Sequence, residues 1–466
     1  MNAQPRGRTL LLAVAAAALA LASGGACTTA ADDGGPGEGE GEGEGEGEGE
    51  GEGEGEGEGE GEGDDESGIV YDVTVDVGPS GPYGTHTFAV PARTNWVNTG
   101  LFLRAGQTAQ IAASGTWSVG GVAVTPAGEA SLGTERGCPW GALVARSGLR
   151  FEDALTCIGA GATFTASVDD VVYVGMIASS DLGETYESRL TLDGQLTVTV
   201  TSAGDTVPTV PRDALATFPL GSVSSGWVEL QSAHHLVTIE VAEVVADLDA
   251  AGASLDTLDD IYDVERQLRG QGPFLEQRVR WVKDATIASF AYMLAGNPIR
   301  CVPELMNGVA TQRILRASEA ATDIWGFSHE LGHLFTMTNG AWVYQYNNME
   351  SWPNIFTLRV LRTLNRTAFQ PNVDTYCDGR DAYLAGGAYE TFKNDPFVQL
   401  CFLMEFEEQY GASFYEQFFQ GMNSQTNEDV GWDGTDQATW RYVRDRFNLA
   451  AGEDTTPRWN AWRVPL

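Results

Sequence analysis

Apolar and polar residues alternate at two ends of one stretch of the chain. Val73, Val75 and Val77 alternate with Thr74 and Asp76, and Leu196, Val198 and Val200 alternate with Thr197, Thr199 and Thr201. Between them lie short β-rich runs at 100–104, 108–114 and 171–177, separated by Gly, Pro and Ser turns, with no long segment of helical period. Residues 68–201 therefore read as an all-β sandwich. Thr201 to Asp213 carries two prolines and no periodicity, so 202–213 reads as a linker. Beyond it the period changes. A strand is expected from Leu236 to Val241. Ile324, Trp325, Phe327, Leu331, Leu334 and Phe335 then form an apolar face at helical spacing, and the aromatics of 402–419 repeat that spacing and predict core. The expected architecture is multidomain: a β-sandwich followed, over 214–466, by a mainly α domain with a small β region at its start.

The N-terminal 67 residues have a different character. Arg6 and Arg8 precede a fourteen-residue apolar stretch, Thr9 to Ala22, which is too short to span a bilayer and reads as an export signal over 1–26. Gly24-Gly25-Ala26-Cys27 resembles a bacterial lipoprotein processing site, which implies lipidation of Cys27 and attachment to a membrane by the lipid alone; plain secretion is the other reading. Thirteen Gly-Glu repeats follow from Gly37 to Glu62, flexible and self-repelling. A coil of the length 27–66 spans about 35 Å, a tether rather than a site. The expected location is the cell surface or outer membrane, or otherwise the medium.

Charge narrows the function. The chain of 466 residues has 65 acidic and 27 basic residues, a net charge of −38. That excess argues against nucleic-acid binding, which needs cations to neutralise phosphates. Of six cysteines, Cys138 and Cys157 are the best disulfide pair, Cys301–Cys377 is a weaker one, and Cys401, in an apolar run, reads as a buried thiol.

The chemistry lies in His329-Glu330-Leu331-Gly332-His333. On a helix capped by Thr322 or Asp323, residues four apart share a face, so both imidazoles reach one ion while Glu330 faces the adjacent water. A catalytic zinc needs a third protein ligand and one open position. No His follows His333, and Glu350 is the only acid between His333 and Val360, so Glu350 is the expected ligand, in the first turn of a helix capped by Asn348 with Pro353 near its start. One Zn²⁺ per chain is expected. Tyr376, Tyr383 and Tyr389 are alternatives for the oxyanion donor, Asn354 is a candidate support for a ligand, and Trp342 is a candidate lining of the cleft. His234 and His235 read as surface residues, the pair Asp259-Asp260 as a solvated helix end, and His86 as a residue of a β-sandwich loop.

Two stretches resemble known families. Trp96 to Gln107, Ile111 to Trp117 and Gly141 to Val144 are similar to the galactophilic PA-I lectin-like β-sandwich, a galactose-binding-like fold. That resemblance implies glycan contact through a Ca²⁺ site. Asp181 and Thr185 match the family's calcium loop, but Ser188 and Arg189 stand where it has two Asn, and Val119 stands in place of its Tyr. An Arg beside Ca²⁺ is repulsive, so the fold carries over and the calcium site does not. His329, Glu330, His333, Glu350 and Asn354-Ile355-Phe356 resemble the enhancin-like zinc metallopeptidase family (M60, gluzincin type), with further similarity at 227–230, 293–299 and 397–419 and with Leu334-Phe335 where relatives often carry a polar residue. It implies an O-glycopeptidase acting on mucin-like glycoproteins, and the chain is expected to be a monomer. The rival reading is a carbohydrate-binding adhesin with an inactive peptidase-like domain.

Overall fold

The computed structural model describes residues 73–177, 192–272, 277–308, 312–336, 343–345, 349–366, 377, 379–425 and 429–466. Cys27 and the Gly-Glu tether, Asp181, Thr185, Ser188, Arg189, Trp342, Asn348 and Tyr376 lie outside the described residues. All described residues belong to one compact unit, Val70–Leu466.

The first part is β-rich. Its strands are β1 (Pro82–Pro91), β2 (Val97–Leu103), β3 (Thr108–Val119), β4 (Val122–Val124), β5 (Thr134–Glu135), β6 (Cys138–Pro139), β7 (Leu143–Ser147), β8 (Thr156–Cys157), β9 (Gly161–Thr165), β10 (Asp170–Met176) and β11 (Leu192–Thr206). Nine of them share hydrogen bonds in the order β4-β3-β11-β2-β10-β7-β8, with β1 added on β11 and β9 on β3. Alternation along β11 puts Leu196, Val198 and Val200 into a core with Leu101, Ile111, Leu143 and Val174. The alternating residues Val73 to Val77 bury Val75 and Val77 but form no strand. All seven residues of β2 are buried, so its second face is covered as well.

A second sheet covers it, in the order β12-β13-β14-β15-β17-β16, from β12 (Thr209–Pro211), β13 (Trp227–Gln231), β14 (His235–Glu240), β15 (Val279–Lys283), β16 (Met293–Leu294) and β17 (Ile299–Cys301). Trp96, Phe102, Val144, Val171 and Tyr173 of the first part pack with Val282 and Trp227 of the second. Glu229 lies buried there. It pairs with Arg280 and accepts from Asn98 Nδ2 at 3.0 Å and Thr238 Oγ1 at 3.1 Å, while the Tyr173 hydroxyl donates to Thr238. The expected linker is therefore corrected. Residues 201–206 continue β11, and Thr209–Pro211 pairs parallel with β13 at the sheet edge, where a proline is tolerated.

Helices complete the second part. Leu248–Arg269 starts at Asp247, which accepts from the Ala250 N–H, and stops at Gly270 in left-handed conformation. Trp325–Thr336 and Ser351–Thr363 pack on one another and on that helix, and Pro396–Tyr410, Ser413–Gln420 and Asp436–Ala451 close an aromatic core around Trp352, Phe406, Phe418 and Phe447.

Several minor expectations are overturned. His235 is fully buried, its Nδ1 accepting from Trp281 Nε1 at 3.0 Å. His234 stacks on Tyr262 and meets Asp263. Asp259 is no solvated helix end, because it accepts from Ser232 and the His234 N–H and so fixes the turn before β14. His86 belongs to β1 and packs on Tyr83. Cys401 is joined to Cys377, leaving Cys301 as a buried free thiol, so neither the Cys301–Cys377 pair nor a free Cys401 holds; Cys138–Cys157 is also a disulfide.

Candidate active site

The helix Trp325–Thr336 carries the motif because its sequence gives it one apolar stripe and a start signal. Asp323 Oδ1 accepts from the Trp325 N–H at 2.9 Å, and Phe327, Leu331, Leu334 and Phe335 are buried beneath it. Leu334 and Phe335 point into this core, Phe335 contacting Tyr262 and Phe356. His329 and His333 stand side by side, ring centroids 4.8 Å apart and nearly perpendicular. Glycines let neighbours come close to the motif helix. A Cβ at Gly332 would lie 3.1 Å from the Pro353 backbone, and one at Gly326 would lie 3.1 Å from Met293 Sδ.

Glu350 occupies the N-cap position of Ser351–Thr363, one residue before the first turn expected to contain it, and makes no capping bond with its side chain. The carboxylate is thereby free to turn to the imidazoles. Glu350 Oε2 lies 3.1 Å from His329 Nε2 and 3.5 Å from His333 Nε2, with its side chain 34% exposed. One ligand atom from each of the three residues lies within 4.8 Å of the others. Ligands about 2.1 Å from a tetrahedral ion are about 3.4 Å apart, so the spacing and the N,N,O donor set fit a zinc ion.

Asn354 sets the direction of one ligand. Its Nδ2 donates to the Glu350 carbonyl at 2.9 Å, which leaves Oδ1 facing His329 Nδ1 at 2.7 Å. An amide oxygen only accepts, so Nδ1 carries the proton and the Nε2 lone pair faces the centre. Ser328, beside His329, donates to buried Glu265 at 2.6 Å. Sequence reasoning missed Ser328, Glu265 and Gly332, which carry no signal outside the fold.

The charges are tuned by this crowding. Burial pushes the Glu330 carboxyl up, and Glu350 adds to that, against the two imidazoles and, least of all, the nearby Ala295 backbone. Burial opposes charge on His329 and Glu350 as well, but their neighbours win: Glu350, Glu330 and Asn354 raise the His329 imidazole to about 9, and His333 with His329 brings the Glu350 carboxyl well below the ordinary range. A partly buried carboxyl with a raised pKa, next to three groups that could hold a metal ion, has the character of a general base.

The structure does not bring Tyr383 or Tyr389 to this centre. The Tyr383 hydroxyl donates to the Trp462 carbonyl, and that of Tyr389 donates to Asp436 while accepting from Trp440 Nε1. Both belong to the packing of the C-terminal helices.

A two-His, one-Glu centre on paired helices, under a mixed sheet whose edge strand adjoins the motif, defines a metallopeptidase-like site. Residues 220–463 match the family described as peptidase M60, enhancin and enhancin-like, and the chain belongs to that family. Among solved structures, the fold resembles a functionally unknown conserved protein from Bacillus anthracis (TM-score 0.55, 14% identity, 82% of this chain and 76% of that one). It also resembles the ZmpB metallopeptidase from Clostridium perfringens (0.51, 13%, 81% and 74%) and the M60 catalytic domain of ZmpB with its CBM51-1 and CBM51-2 domains (0.53, 13%, 82% and 41%). No curated protein matches.

Proposed function

We propose that the chain is a zinc-dependent endopeptidase acting outside the cytoplasm on O-glycosylated, mucin-like proteins. The observation that carries the peptidase reading is the approach of Glu350 Oε2 to both imidazoles. His329, His333 and Glu350 would hold one Zn²⁺. When bound, the ion supplies Lewis acidity, polarising a peptide carbonyl and lowering the pKa of water toward about 7. Glu330 takes the proton of the attacking water and passes it to the leaving amine. Asn354 keeps His329 in the required tautomer. Strand β16 is the edge of its sheet, and its outer backbone groups offer an extended substrate a partner beside the metal.

Family membership supports the glycoprotein substrate class, and so does the lectin-like resemblance of the β-rich part, which we read as a glycan contact without Ca²⁺. The disulfides Cys138–Cys157 and Cys377–Cys401 support an oxidising compartment, in keeping with residues 1–26 as export signal, Cys27 as lipid anchor and 27–67 as tether. Nothing favours the adhesin reading, since a binding protein has no use for all of His329, Glu330, His333 and Glu350. Incubation with a mucin-type glycoprotein, before and after enzymatic removal of its O-glycans, tests the proposal. Cleavage should need the glycans and vanish in Glu330→Gln. Equal cutting of bare polypeptide would make it a general protease.

A further inference from the structure

Long-range charge sorts ligands before any contact forms, and one sign is in excess throughout this chain. Residues 68–206 carry 13 acids against 6 Lys and Arg, and residues 207–466 carry 34 against 19. Residues 32–66 add 18 carboxylates and no base. The excess is sharpest at the active site. Residues 317–358 comprise the motif helix, Glu350 and everything between them; they contain Glu319, Asp323, Glu330 and Glu350 but no Lys or Arg.

The cations that flank this stretch are already engaged. Arg316 meets Asp247 at 2.5 Å and Glu319 at 2.9 Å, and Arg313 meets Glu319 at 2.8 Å. On the other side Arg359 meets Glu416 at 2.6 Å and Glu407 at 3.3 Å, and Arg362 shares Glu407 at 2.5 Å. A guanidinium held against a carboxylate projects little field, because the two charges cancel at a distance. Asp323 is different. It accepts from the Trp325 N–H at 2.9 Å and from Gln312 Nε2 at 3.4 Å, both neutral donors. It lies six residues before His329, about 9 Å at helical rise and so within reach of its field. At the centre, Glu330 and Glu350 offset the charge of a divalent ion. An anionic sugar therefore meets repulsion from the surroundings and no net attraction from the centre.

We propose that this site selects substrates with neutral O-glycans and disfavours anionic ones, those ending in a sialic-acid carboxylate or carrying sulfate. The inference rests on the glycopeptidase reading of the same site. It also places the reaction in a sequence: hydrolysis that strips terminal anionic groups from a mucin-like protein supplies the substrate this enzyme takes best.

The test is kcat/KM of the full chain on two glycopeptides of one sequence. One bears a neutral galactose–N-acetylgalactosamine disaccharide, the other the same glycan ending in sialic acid. A surface potential of several kT changes the encounter rate of a charged ligand about tenfold or more. The neutral substrate should therefore be preferred about 5- to 20-fold at about 20 mM salt. At about 300 mM salt, where the screening length drops from about 20 Å to about 6 Å, the preference should shrink to about twofold or less. Dissociation constants measured in Glu330→Gln should follow the same order and the same salt dependence. Asp323→Asn keeps an acceptor for the Trp325 N–H and removes one charge. It should narrow the low-salt preference about twofold and leave kcat on the neutral substrate unchanged. Equal cutting of the two glycopeptides at low salt, faster cutting of the sialylated one, or a preference that salt does not weaken overturns selection by charge. Failure to cut either glycopeptide overturns the glycopeptidase reading instead.

Discussion

Gly332 and Pro353 touch backbone to side: a Cβ on Gly332 would stand 3.1 Å from both the Cα and the carbonyl oxygen of Pro353. The glycine between Glu330 and His333 is thus what lets the second helix approach until Glu350 reaches the imidazoles. Gly332→Ala would gain about 1 kcal/mol of helix propensity, but forcing backbone apart in a packed core costs about 1–3 kcal/mol. The expected outcome is a small net loss of stability with a larger loss of zinc affinity, read by thermal melting and by competition with a chromophoric chelator.

Asn354 is the next lever. Asn354→Ala removes the acceptor that keeps His329 Nδ1 protonated. Zinc affinity should fall about 10- to 100-fold while the helix, whose buried face is otherwise unchanged, stays formed. Chelator competition beside circular dichroism separates the two.

Glu265 gives a pH signature far from solvent. It is fully buried, bonded to Ser328, and its Oε2 has no partner among the described residues. Burial raises its pKa well above the ordinary value, with the Ser328 bond acting weakly against this. The folded state therefore holds a proton that the unfolded chain releases near pH 4.5. The stability this group contributes is complete below that pH and is lost as pH rises through the folded value. Melting temperatures measured from pH 5 to 9 should decline in the wild type, and Glu265→Gln, neutral and of the same shape, should remove its share of that decline. An identical slope in both proteins would refute the assignment.

The interface pair is a stability test. Glu229→Ala leaves the Arg280 guanidinium buried without its carboxylate and strips partners from Asn98 and Thr238. Breaking a buried pair by removing one member costs about 3–5 kcal/mol. Denaturant unfolding should show that loss in one transition that includes the β-rich region and the peptidase domain together.

What could be read from the sequence was local. Helical spacing of His329 and His333 is a property of five consecutive residues, and Glu350 emerged because few acids were available. Alternation at Leu196, Val198 and Val200 marked the core of β11. What stayed hidden depended on contacts distant in sequence. Nothing near Asn98 points to Glu229, and nothing near Ser328 points to Glu265. Polar residues misled where the fold buries them: His235 sits under Trp281. Apolar context misled at Cys401, whose run of hydrophobic neighbours hid a disulfide to Cys377. Two of the tyrosine candidates, Tyr383 and Tyr389, failed because hydroxyls can serve packing as readily as catalysis, and theirs are bonded within the C-terminal helices.

The convergence of His329, His333 and Glu350 on one ion is tested most directly by zinc analysis and X-ray absorption of the purified chain beside Glu350→Ala. The account predicts one zinc per wild-type chain, with nitrogen and oxygen neighbours at about 2.0–2.2 Å, and a variant that loses both the metal and proteolysis. A wild-type chain without zinc, or a Glu350→Ala variant that keeps its zinc and its activity, would contradict it.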